Sequence, residues 1–213
     1  CYLSKELHKN LPELNTLKNI QKAAKKEFLE KGFKSASLRN IVKEAGVTTG
    51  AFYGYYRSKE ALFDAIVGEQ ASVFMDQFLA AQNTFAKLPP MEQQDNMGKI
   101  SGDCMDWMVN YVYENLDAFK LLICCAEGTK YENMIHQMVE IEVAATHNFV
   151  AVLRSLGHSV EEIDPQLEHI LVSGMFTAFF EMVIHDMTRE QAVKYVMDLR
   201  TFYTAGWQKL MGL

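Results

Sequence analysis

Gly46 sits between two short segments whose apolar residues recur at helical spacing, and no other feature of the chain constrains the fold as much. Before it, Leu38, Ile41, Val42 and Ala45 fall three and four apart, with Ser37 placed to cap the segment. After it, Val47 plugs the turn, Thr48 caps, and a helix over residues 49–55 turns Phe52 toward a core. Glycine reaches the left-handed conformation of a tight turn without steric cost. Two short helices joined in this way predict a helix-turn-helix. Many αα-hairpins share the spacing, so spacing alone leaves the function open.

The rest of the chain is also helical in period, and strand-like alternation persists nowhere. Residues 1–16 read as a polar arm. A first helix is expected over 17–31, with Leu17, Ile20, Ala24 and Phe28 on one face and Gly32 ending it. Ser58 caps a fourth helix from Lys59 to about residue 84, and Pro89-Pro90 mark a break. Further helices are expected over 92–113, 116–126 and 131–156. Asp164-Pro165 opens another, reaching about residue 186. Thr188-x-x-Gln191 reads as a capping box for a last helix to about residue 210.

Charge separates the two parts. Residues 1–60 carry twelve Lys+Arg and six Asp+Glu, a balance of +6. The remaining nine basic and twenty-one acidic residues give the rest of the chain −12. A basic head suits a polyanion, and an acidic body is repelled by one.

A helix that enters the major groove needs hydrogen-bonding groups on its exposed face. Thr48 and Thr49 offer hydroxyls, and Gly50 and Ala51 are small enough to let the backbone approach base edges. The hydroxyls of Tyr53 and Tyr55 either reach phosphates or pack into the three-helix core. Lys59 opens the next helix, where an ammonium and a helix N-terminus both favour phosphate.

The stretch 20–62 resembles the DNA-binding domain of TetR-family repressors. The residues that carry the likeness are Ile20, Ala23-Ala24, Phe28, Gly32-Phe33, Ser37-Leu38, Ile41, Ala45-Gly46-Val47, Gly50, Phe52-Tyr53, Tyr55-Tyr56 and Ser58-Lys59-Glu60, densest in GVTTGAFYGYYRSKE. The resemblance implies nine or ten helices, a homodimer, and a variable C-terminal domain that binds a ligand and releases DNA. Position by position, it implies that Arg39 touches bases or phosphates and that Thr48, Thr49 and Gly50 open the recognition helix. It further implies phosphate contact by Tyr53 and a phosphate anchor at Lys59. Tyr55 stands where many members have histidine, Tyr56 where phenylalanine is usual, and Gly54 where a larger residue is common. Glycine there weakens a helix by about 1 kcal/mol relative to alanine. The expected DNA-contact set is therefore Ser37, Arg39, Thr48, Thr49, Gly50, Tyr53, Tyr55 and Lys59.

In the body, Ser173, Thr177 and Glu181 form a narrow polar stripe on a helix that is otherwise apolar. A helix apolar on most sides must be covered on most sides, by a partner subunit or by its own chain. The expected dimer face is Val172, Met175, Phe176, Phe179 and Phe180, joined by Phe202, Tyr203 and Trp207 of the last helix in a four-helix bundle. Met105, Trp107, Met108, Tyr111, Met134 and Met138 either line an apolar ligand cavity or fill the core, with Phe119, Glu127 and His147 nearby in sequence.

These readings predict an all-α protein with a three-helix DNA-binding domain over residues 1–60 and a larger ligand-binding and dimerisation domain over 61–213. The expected partners are double-stranded DNA with a palindromic operator, a second copy of the chain, and a small, apolar or aromatic effector of unknown identity. No nucleophile–base constellation, phosphate-binding glycine loop or metal-ligand spacing stands out, and the six histidines are scattered. No cofactor, metal or enzymatic activity is therefore expected. An all-helical enzyme and a helical protein-interaction module remain the competing classes. Cys124-Cys125 read as buried thiols in an apolar run. No apolar run reaches the roughly 18 residues of a membrane span, and the N-terminus lacks the long apolar stretch of a signal peptide. A soluble, cytoplasmic protein with no membrane partner is expected.

Overall fold

A computed structural model of the chain describes residues 3–213, with side chains from Glu13 onward. Every element among them is an α-helix: α1 (Leu3–Ser35), α2 (Leu38–Glu44), α3 (Thr49–Tyr55), α4 (Lys59–Ala86), α5 (Pro90–Glu114), α6 (Leu116–Cys124), α7 (Met134–Ser155), α8 (Pro165–Ile184) and α9 (Arg189–Met211). The stretch expected as a polar arm is helical from Leu3, and residues 1 and 2 lie outside the described residues. Within α1 the backbone leaves the helix at Gly32 (φ 71°, ψ 159°), where the sequence places the stop. At the start of α9 both reciprocal bonds of the capping box form: Gln191 N–H donates to Thr188 Oγ1 (3.3 Å), and Thr188 N–H donates to Gln191 Oε1 (2.9 Å).

The chain divides into two compact units. The first comprises residues 1–71 and 117–132, and the second residues 72–116 and 133–213. The first unit is thus larger than residues 1–60, because it takes in the start of α4, nearly all of α6 and the turns after it. Its core contains Ile20, Ala24 and Phe28, the expected face of α1, with Ile41, Phe52, Leu62, Phe63 and Phe119. The rings of Phe28, Phe33 and Phe63 meet at centroid distances of 5.2–5.7 Å. The α6 region is tied in by polar contacts. Phe33 N–H donates to Cys125 O (2.9 Å), Lys34 pairs with Glu127 (2.7 Å), and Asp64 takes both the Tyr131 hydroxyl and the Lys130 ammonium. Those two donors hold the Asp64 carboxyl below its ordinary range, the Lys130 bond contributing most. Cys125 is buried as expected, whereas Cys124 is exposed.

In the second unit, α8 has the length and composition to cross a membrane, alone in this among the described residues. Most of its large apolar side chains instead pack within the unit. Val172, Met175, Phe176, Phe179 and Phe180 are all buried by their own chain. In the single chain these five positions are thus already covered by neighbouring helices. Phe74 and Phe180 meet at 5.9 Å and Phe78 and Phe176 edge-to-face at 5.6 Å, which shows what covers two of them. Apolar groups left exposed on α8 and α9 include Ile170 (64% exposed), Ile184, Val193, Met197 and Phe202 (73%).

Candidate nucleic-acid interface

Local sequence builds the turn between α2 and α3. Ser37 Oγ accepts from Asn40 N–H (3.4 Å) and so caps α2. Ala45 ends it, and Gly46 follows at φ 68°. Gly46 N–H donates to Lys43 O (3.2 Å) and Val47 N–H to Val42 O (3.0 Å). This reciprocal pair is the Schellman closure, which satisfies the last α2 carbonyls and needs a left-handed residue at Gly46. Thr48 then caps α3, its Oγ1 accepting from Ala51 N–H (3.1 Å). That bond leaves the Thr48 hydroxyl proton free to donate outward.

Only Phe52 is buried on α3. It packs beside Tyr56, whose hydroxyl accepts from Gln21 Nε2 (2.9 Å); burial pushes the Tyr56 phenol up from its ordinary pKa. Thr48, Thr49, Gly50, Tyr53 and Tyr55 are all exposed. At 100° per residue, Thr49, Gly50 and Tyr53 share one outward face, and Tyr55 lies on the flank. Tyr53 is 54% exposed and Tyr55 36%. A Cβ on Gly50 would meet only Thr48 Oγ1, at 3.9 Å, and one on Gly54 would meet nothing. Packing therefore does not require either glycine. Arg39 is exposed on α2, and Ser37 is half-buried with its hydroxyl engaged in the cap.

Lys59 departs from its expected place. Its ammonium donates to Phe33 O (2.7 Å), Ala36 O (3.0 Å) and Lys34 O (3.4 Å), over the Phe33 ring at 4.5 Å. Helix α1 ends at Ser35, where Phe33 O also accepts from Ala36 N–H (3.3 Å), and Lys59 brings a further donor to each of these last carbonyls. All three ammonium donors are engaged, so the side chain braces the head in this conformation. Nothing in the local pattern around Lys59 announces this, because its acceptors lie 23–26 residues away.

The second unit encloses a cavity of about 140 Å³. Phe78, Gln82 and Phe85 of α4 line it, with Met105 and Met108 of α5, Glu142 and Phe149 of α7, and Arg200, Tyr203 and Trp207 of α9. Of the expected lining, Met105 and Met108 are present. Trp107 and Tyr111 instead stack on each other at 4.8 Å, and Met134 and Met138 are buried in the core. Tyr203 and Trp207, expected at a dimer face, face the cavity. Glu127 is exposed in the first unit and His147 is exposed on α7, and neither is among the residues that line it. The polar groups that do line it were not singled out by sequence. Glu142 accepts from Gln82 Nε2 (2.5 Å), and burial raises its carboxyl pKa to about 7. The Arg200 guanidinium lies where a Cβ on Gly102 would be, 3.8 Å from Asp106.

Residues 20–66 match the family model described as bacterial regulatory proteins, tetR family. An uncharacterised HTH-type transcriptional regulator of Bacillus subtilis, YdgC, is 46% identical over 50 residues, which are 24% of this chain and 26% of that protein. The A-factor receptor protein of Streptomyces griseus is 39% identical over 59 residues, 28% of this chain and 21% of that protein. These matches thus span about a quarter of the curated relatives. A solved structure of a TetR-family regulator from Streptomyces coelicolor aligns over 86% of this chain and 88% of its own, with a TM-score of 0.52 and 18% identity. A TetR-like regulator from Rhodococcus sp. RHA1 aligns over 93% and 97%, with a TM-score of 0.50 and 17% identity. At such identity the likeness shows a shared fold.

Proposed function

We propose, from the match of residues 20–66 to the tetR-family model, that this chain is a regulator of that family: a dimeric transcriptional repressor that a small molecule releases from a palindromic operator. The observation that carries the proposal is the outward face of α3. A helix held by one buried phenylalanine presents Thr48, Thr49, Gly50 and Tyr53 to solvent together. Such a face fits the major groove, with hydroxyls for base edges and phosphates and no bulk at Gly50. Arg39, Ser37 and Tyr55 flank it, and the N-terminus of α4 offers phosphate its backbone N–H groups in place of the engaged Lys59 ammonium.

One α3 helix reads only a few base pairs, so specificity calls for two copies with half-sites about 34–36 Å apart, or a multiple of that. The exposed apolar groups of α8 and α9, with Phe202 the most exposed, form the surface on which the second copy packs. The cavity is the effector site: its walls are rich in Phe and Met, which suits an apolar or aromatic body, and Glu142 and Arg200 orient polar groups. An occupant touches Phe78, Gln82 and Phe85, and α4 is one continuous helix that begins in the DNA-binding unit. The ligand lowers DNA affinity by the difference in its binding to the two arrangements. A regulator of this kind works where DNA is, in the cytoplasm.

A gel-shift titration on the promoter of its own gene tests the reading. Retardation that weakens steeply with salt supports it. Absence of a shifted band at low salt overturns it.

A further inference from the structure

Three side chains that sequence spacing leaves scattered converge on the second unit. His136 and Glu140 lie one turn apart on α7, and His169 lies in α8 shortly after Pro165. One ligand atom from each falls within 4.8 Å of the others. His169 Nδ1 is 3.6 Å from Glu140 Oε1, and the two imidazole rings stand 6.3 Å apart between centroids.

The geometry points to a binding site for a divalent first-row metal ion, Zn²⁺ above all, held by His136, Glu140 and His169. Two imidazoles and one carboxylate form a donor set that suits Zn²⁺, Co²⁺, Ni²⁺ or Cu²⁺ and disfavours Mg²⁺ and Ca²⁺, which prefer all-oxygen shells. Metal bonds of about 2.1 Å at the tetrahedral angle put ligand atoms about 3.4 Å apart, so closure from separations of up to 4.8 Å takes at most about 1.4 Å per pair. Side-chain rotation provides it, because His136 and Glu140 are exposed and His169 is half-buried. Water fills the remaining coordination positions.

The neighbouring residue keeps the backbone of the site in place. Glu168, directly before His169, is 1% exposed and lies 2.5 Å from His147 Nε2 of α7. Asp164 caps the same turn through Gln166 and Leu167 N–H. The start of α8 is therefore registered on α7 before any ion arrives, and the ion has only side chains to organise. A bound ion cross-links α7 to α8 and stabilises the folded unit by mass action. The inference does not depend on DNA binding or on an effector.

The test uses the full chain, free of affinity tag and stripped with chelator. It is titrated with Zn²⁺ by calorimetry and with Co²⁺ by absorption. One ion per chain is expected. The Co²⁺ spectrum should show ligand-field bands without thiolate charge transfer, since no cysteine belongs to the set. His136→Ala and His169→Ala should each lose the site, and the isosteric Glu140→Gln should weaken it. His185→Ala, at an exposed histidine paired with Glu181, should retain it. Zn²⁺ should raise the thermal midpoint of the wild type and of His185→Ala and leave those of His136→Ala and His169→Ala unchanged. Melting in chelator checks that every variant folds. No saturable binding to the wild type, binding retained by both alanine variants of the site, or a thiolate charge-transfer band overturns the inference.

Discussion

The Lys59 ammonium donates a 2.7 Å hydrogen bond to the Phe33 carbonyl oxygen and stands 4.5 Å above the ring of the same residue. One side chain at the start of α4 thereby closes the broken end of α1, with Ala36 O and Lys34 O as its further acceptors. The brace fixes where α4 begins relative to the helices that carry the turn. Lys59→Met keeps much of the stem and removes the donors. It should cost about 2 kcal/mol of stability, the scale of a lost hydrogen bond from a charged group. Urea unfolding measures this. A full loss of DNA affinity at unchanged stability would instead make Lys59 a phosphate ligand.

Arg39 and Tyr53 are exposed, and Tyr53→Phe keeps the ring that meets Phe52 edge-on at 5.4 Å, so these substitutions separate DNA contact from folding. Arg39→Ala should weaken DNA binding and reduce the salt slope by about 1 if it meets a phosphate. Tyr53→Phe removes a single hydroxyl and should cost about 1 kcal/mol in DNA affinity. Both variants should melt with the wild type. Unaltered gel shifts for the pair would displace the contact surface from α3.

Glu142 predicts a pH dependence. Its carboxyl titrates near 7 in the folded protein, against 4.5 ordinarily, because burial disfavours the charged form. Between those values the native state holds a proton that the unfolded chain has released. Stability is therefore highest below 4.5 with respect to this group and falls as pH rises through about 7. Glu142→Gln cannot ionise and should flatten that part of the stability profile, with its largest relative gain above pH 7. Thermal midpoints recorded from pH 5 to 8 for both proteins check it; parallel curves would refute the assignment.

Two phenylalanines should behave oppositely. Phe202→Asp places a charge on the most exposed apolar position of α9 and should convert a dimer to a monomer in analytical ultracentrifugation while the chain stays folded. Phe179→Ala opens a void at a fully buried site and should cost about 3–5 kcal/mol. A dimer that survives Phe202→Asp moves the interface away from α9.

Legibility followed the range of the interactions. Helix ends set by a cap or a glycine were readable: α3 spans Thr49–Tyr55 as expected, and Thr188 and Gln191 form their box. These devices act over three or four residues, a distance the sequence displays. The outward face of α3 was readable for the same reason, since one apolar position, Phe52, orients seven residues. Lys59 was not, because three carbonyl oxygens over twenty residues away decide where its ammonium goes. Glu142 and Arg200 were missed because a charged residue in an amphipathic helix looks solvated until neighbouring helices enclose it.

The chain by itself determined that it is helical, where its capped helices begin, and which short helix faces outward beyond Gly46. Periodicity, caps and one left-handed glycine suffice for that, because they are local constraints on backbone and burial. The tertiary structure decided what lies against what. It placed α6 in the first unit through Cys125, Glu127 and Tyr131, gave the apolar faces of α8 to its own neighbours, and gathered His136, Glu140 and His169. Apolar surface seeks cover without regard to which surface supplies it, so a sequence shows the need for burial and only packing shows the partner.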